Sequence, residues 1–133
     1  MKNLKLFASL LAVANFAVTI WHLYLADKLN PAIPFAESAR IATFAGALTL
    51  AGVALCWTRR PRIGSLLLVA VFAIGLIIGS IEHFVVGGPN NVFDVGTNAW
   101  ALPFKVTVAI LLVLEVAGLS FAGRILVTRS PRA

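Results

Sequence analysis

IGSLLLVAVFAIGLIIGSIEHFVV, Ile63 to Val86, runs for 24 residues with a single ionisable pair, Glu82 and His83, near its end. Crossing the hydrocarbon core of a bilayer takes roughly 20 apolar residues at about 1.5 Å rise each, so this run is long enough to span. Three more stretches have comparable length: Leu6–Ala26 with 21 residues, Ile41–Thr58 with 18 and Trp100–Gly123 with 24. Lipid offers no partners to backbone N–H and C=O groups, and runs of this length suit helices rather than barrel strands of about 10 residues. The chain therefore reads as an all-α integral membrane protein. Its four transmembrane helices form one antiparallel bundle, a single domain over residues 1–133.

Composition agrees. The 133 residues are 60% hydrophobic and 12% charged, with mean hydropathy +0.96, whereas a soluble domain carries about 25% charged residues. The net charge of +6 does not point to nucleic acid, because the charges are segregated. Lys2 and Lys5 precede the first run, Arg59, Arg60 and Arg62 fill the second connection, and Arg124, Arg129 and Arg132 follow the last. Only Lys28, Arg40 and Lys105 fall on the other side. By the positive-inside rule both termini are cytoplasmic, in a membrane of the bacterial inner-membrane type, and the cations anchor to anionic headgroups. MKNLKLFASLLAVANFA (Met1–Ala17) has the basic start of a signal peptide; the apolar run continues to Ala26, so a retained helix is expected. Cys56 is the only cysteine, which excludes an intramolecular disulfide and a thiolate metal cage.

Between the first two runs, Pro31 and Pro34 stop a helix, and Ile33 and Phe35 are placed to dip into the interface. Gly87–Ala99, GGPNNVFDVGTNA, is turn chemistry around a Val92–Phe93 pair, expected to close a hairpin simply. A shift of 61 residues lays Ala12 on Ala73, Ile20 on Ile81 and His22 on His83, the pattern of two related hairpins repeated in parallel along the membrane normal. Gly75 and Gly79 mark a close-packing face on the third run; Thr43, Ala47, Ala51 and Ala54 mark another on the second. Glu82 and His83 follow Gly79 at i+3 and i+4, so both are expected to face the interior.

Ionisable side chains inside a span are costly and are functional candidates by default. His22 lies about 6 Å below the outer end of the first run, Glu82 and His83 at matching depth, and Lys105 close to the outer start of the fourth. Asn15, Thr19 and His22 form an i, i+4, i+7 polar stripe leading inward. Trp21 and Trp100 belong to the outer interface. Three chemistries fit this layer. His22, Glu82 and His83 are candidate ligands for a transition metal, with Asp94 as a further one, although no HxxxH or ExxH spacing occurs within one helix. His22 and His83 are candidate axial ligands of a b-type haem. Glu82 and His83 are a candidate acid–base pair for isomerase- or cyclase-type catalysis on an isoprenoid, a quinone or another lipid-soluble substrate. The plainer reading is a Glu82–Lys105 ion pair beside interfacial histidines.

Glu115 stands apart, roughly 20 Å below the outer surface and 12 Å above the inner one. It is either a structural carboxyl bonded to Thr43, Thr49 or a partner subunit, or the proton carrier of a small transporter. A bundle this small, with glycine faces and no soluble part, suits an accessory subunit of a larger membrane complex or a homo-oligomer. That role, with a haem or metal in the outer half, is the leading expectation. The lipid enzyme and the Glu115 transporter are its alternatives.

Overall fold

The computed structural model describes residues 1–29 and 35–128. Pro31, Ile33 and Pro34 lie outside the described residues, as do Arg129 and Arg132, and nothing is described of the Phe35 side chain. The four helices are α1 (Lys2–Leu29), α2 (Phe35–Cys56), α3 (Pro61–Ser80) and α4 (Ala101–Val127). Among the described residues there is no strand. All four helices are long and apolar enough to cross a membrane. Pro61 occupies the first turn of α3, where its missing N–H costs nothing and its fixed φ starts the helix.

Side-chain contacts fix the topology. Trp57 Nε1 donates to Ser9 Oγ at 3.0 Å and Phe16 covers Gly46, which makes α1 and α2 antiparallel. Gly64 lies against the backbone of Gly52, Leu55 and Cys56, so α2 and α3 run antiparallel with main chains nearly touching. Ser65 Oγ donates to the Ala122 carbonyl, and Phe72 fills the space over Gly118, pairing α3 with α4. Phe7 and Phe121 rings, 5.4 Å apart, close the ring between α4 and α1. The bundle is up-down-up-down, with the start of α1, the 57–60 turn and the end of α4 at one end and the 86–100 loop at the other.

The core is divided along the bundle axis. Near the termini, Ala8, Ala12, Cys56, Leu68, Phe72, Ala122 and Ile125 form one apolar cluster. Near the loop, Leu25, Ala26, Val95, Ala101, Phe104 and Val108 form another. The polar residues Asn15 and Glu115 are buried at helix positions between the two.

Two packing expectations are corrected. Thr43, Ala47, Ala51 and Ala54 are exposed, and α2 buries Ala42, Gly46, Thr49, Gly52 and Cys56 instead. The glycines decide this, because they allow Phe16 and the α3 backbone to approach, while a stripe of alanines on an all-round apolar helix carries no direction of its own. Of the pair on α3, Gly75 receives the Glu115 side chain, whereas a methyl group added at Gly79 would meet no other helix and only the His83 ring, at 3.9 Å. Neither is a close helix–helix crossing.

Candidate functional site

The stretch Ile81–Val85 following α3 is a π-helical turn. Its wide ring is closed by the bond from Val86 N–H to the Ile81 carbonyl at 2.9 Å. Such single turns are rare, and they are frequently found at functional sites. Glu82 and His83 both lie in it. His83 is buried and Glu82 exposed, so the expectation that both face inward is corrected. Adjacent residues on a helical turn differ by about 100°, and here only His83 of the two points into the bundle.

Four segments build the site around His83. The His22 ring from α1 meets the His83 ring edge to face, with centroids 4.8 Å apart. Phe104 from α4 packs on both, at 4.7 Å from His22 and 5.7 Å from His83. The 86–100 loop folds back over the π-helical turn: Val92 N–H donates to the His83 carbonyl at 3.0 Å, and Asn91 Nδ2 donates to the Val86 carbonyl at 2.9 Å. Gly88, the one residue with positive φ (+139°) among those described, makes the reversal, and its N–H donates to Asp94 Oδ2 at 2.8 Å. Only glycine adopts that backbone readily.

Hydrogen bonds assign the proton on each imidazole. His83 Nδ1 lies 2.8 Å from the Asn90 carbonyl oxygen; a carbonyl only accepts, so Nδ1 carries the proton. His22 Nδ1 lies 2.9 Å from Thr107 Oγ1, and that hydroxyl already donates to the Phe104 carbonyl at 2.7 Å. Thr107 must therefore accept from His22, and His22 also carries its proton on Nδ1. Both Nε2 atoms are left with an available lone pair. This is the outer-shell pattern of metal-ligating histidines, in which the second ring nitrogen donates to a fixed oxygen and holds the ring in place.

Several expected members do not join. Lys105 is exposed on α4, so the layer of two histidines, Glu82 and Lys105 is reduced to its histidines. Asp94 is exposed and turned to the Gly88 N–H. Among the described residues no three His, Cys, Asp or Glu side chains are grouped to share an ion, so His22, Glu82, His83 and Asp94 are not brought together as one ligand set. The His22 and His83 imidazoles touch directly and Phe104 packs on both, so the two rings are not set apart across a haem-sized gap. Of the candidate acid–base pair, His83 is buried and Glu82 is exposed. Thr43 is exposed and donates to the Ala39 carbonyl at 2.7 Å, so it is not a partner of Glu115. Trp21 stacks on Tyr24 at 5.2 Å, and Trp100 meets Tyr24 edge-on at 6.4 Å, an exposed aromatic group at the loop end.

Thr107, Asn90 and Phe104 were not singled out by the sequence. Thr107 did carry a signal, as the one hydroxyl residue between Leu102 and Leu119; Asn90 and Phe104 look like ordinary turn and core residues. Compared with known protein families, curated proteins and solved structures, the chain matches none of them.

Proposed function

We propose that this chain is a small integral membrane accessory protein that holds a transition-metal ion between His22 Nε2 and His83 Nε2. The observation that carries the reading is the pair of fixed Nδ1–H tautomers in two touching rings. Imidazole nitrogen suits zinc, copper, nickel and iron(II), and the hydrogen bonds to Thr107 and Asn90 raise the basicity of the ligating atoms. Asn90 Oδ1 is buried without a partner, a further acceptor on the residue that orients His83. Two protein nitrogens leave roughly half of a tetrahedral shell open. An incomplete shell fits an ion shared with, or passed to, a partner subunit, which is why an accessory role is favoured over catalysis. The segregation of basic residues supports cytoplasmic termini, and with that orientation the histidines would lie in the outer half of the membrane.

The test is cobalt(II) and zinc titration of detergent-purified protein, with elemental analysis and a visible spectrum on the same sample. The expected result is about one ion per chain with imidazole-type cobalt bands, lost in His22→Ala and in His83→Ala. Metal binding that survives the double variant overturns the assignment, and so does a Soret band in the wild type.

A further inference from the structure

Glu115 remains. It is 6% exposed in the middle of α4, and its carboxyl lies against Gly75 of α3, where any larger residue would collide with Oε1. On its own helix it shares the buried face of Phe104, Val108, Leu111 and Gly118, spaced i, i+4, i+7, i+11, i+14. Asn15 belongs to the facing stripe of α1. It is 8% exposed, sits seven residues from His22 on the same side of the helix, and its Oδ1 is buried with no partner.

The α1–α4 register sets these residues level. His22 pairs with Thr107 and Phe7 with Phe121. Seven residues below His22 is Asn15, about 10 Å down; eight residues below Thr107 is Glu115, about 12 Å down. The α2 residue at this height is Thr49, buried, by the register of Phe16 on Gly46 and Ser9 on Trp57. From α3 the facing residue is Gly75. This layer separates the two apolar clusters, and its polar side chains Glu115, Asn15 and Thr49 bring no basic group into it. His22 is two turns away.

We propose that Glu115 and Asn15 form a mid-bundle site for a small cation, either a proton or an alkali ion. Asn15 Oδ1 is buried without a donor, and the buried Glu115 carboxyl has no basic side chain at its level. The Asn15 N–H groups and the Thr49 hydroxyl can donate to the carboxyl but not to Asn15 Oδ1, and an acceptor buried without a donor is costly unless something positive joins it. A proton on Glu115 would be donated to Asn15 Oδ1. An alkali ion would be held by the same oxygens, with Thr49 Oγ1 as a further hard ligand. Gly75 leaves room for the carboxyl as placed; a methyl group there would oblige the Glu115 side chain to shift. The site is independent of the histidine pair.

Two measurements on the full chain in detergent separate the sources. The first is thermal unfolding at constant ionic strength, with sodium or lithium chloride replacing choline chloride. A midpoint that rises with sodium or lithium, and is flat in Glu115→Gln and Asn15→Leu, identifies an alkali ion. The second is infrared absorption of the carboxyl groups. A protonated-carboxyl band that disappears in Glu115→Gln and shifts in Asn15→Leu, with no alkali effect, identifies a proton. Should Glu115→Gln fail to fold, Asn15→Leu carries both measurements. The proposal is overturned by a cation effect that persists in either variant, or by a wild type with neither a protonated band nor a cation effect.

Discussion

His22 and His83 meet edge to face at 4.8 Å, although 61 positions separate them and each ring is held by a different segment. Their Nδ1 protons are committed to Thr107 and Asn90. The tie to Thr107 gives the most direct check on the site. Replacing a threonine by valine keeps the shape and removes the acceptor, leaving the His22 N–H unpaired in an apolar setting. Loss of such an orienting partner typically costs 10- to 100-fold in metal affinity. Thr107→Val is expected to weaken cobalt binding by that order, and Thr107→Ser to retain it. Equal affinity in wild type and Thr107→Val would mean that the tautomer assignment has no bearing on binding.

Glu82 supplies the opposite case. It is exposed on the π-helical turn, and exposed substitutions away from special features usually change stability by no more than about 0.5 kcal/mol. Glu82→Gln is expected to leave cobalt affinity within about twofold of wild type, the factor to which that energy corresponds. The same holds for Lys105→Gln. Loss of metal binding in Glu82→Gln would restore the carboxylate to the ligand set and reject the orientation seen for the π-helical turn.

The contrast between these two residues shows how far the sequence can be read. Run length and hydropathy determine four helices, and depth along each run is enough to put His22 and His83 at the same height. Direction around the helix is a different matter. In a helix that is apolar on every side, periodicity does not distinguish the packed face from the outer one. Thr43, Ala47, Ala51 and Ala54 therefore look like an interface and lie outside. The π-helical turn is a second limit: a five-residue change of pitch at Ile81–Val85 leaves no compositional mark, yet it accompanies the split between an inward His83 and an outward Glu82. Glu115 was legible as an anomaly by its charge. Its level with Asn15 became visible only through the register of α1 on α4.

Gly118 and Gly123 are one turn and a residue apart on α4 and differ completely in surroundings. A methyl group on Gly118 would strike the Phe72 ring, while at Gly123 it would meet open space. Overpacking of this kind costs about 1–3 kcal/mol, because the buried ring must leave its rotamer. Alanine in an open helical position gains up to about 1 kcal/mol in helix propensity. Gly118→Ala is expected to lower the unfolding midpoint and Gly123→Ala to hold or raise it, measured by circular dichroism in the same detergent. A tolerated Gly118→Ala would show that Phe72 does not occupy this seam.

The α2–α3 seam can be probed by its own thiol. Cys56 is fully buried, with Sγ turned to the Pro61 carbonyl at 3.8 Å, and reagents reach it only when the helices part. In the folded protein it is expected to react with a maleimide far more slowly than in denaturant. Gly64→Ala sets the scale. The added methyl would meet the Gly52 carbonyl oxygen at 2.6 Å and the Leu55 carbonyl carbon at 2.7 Å, backbone atoms that cannot rotate away, so the helices must separate. A destabilisation of about 1–3 kcal/mol raises the open population roughly 5- to 150-fold, and labelling follows that population when reclosing is fast. Gly64→Ala is therefore expected to speed Cys56 labelling about fivefold or more. Unchanged labelling would mean that α2 and α3 do not touch through their main chains, and with that the up-down-up-down packing would lose its closest contact.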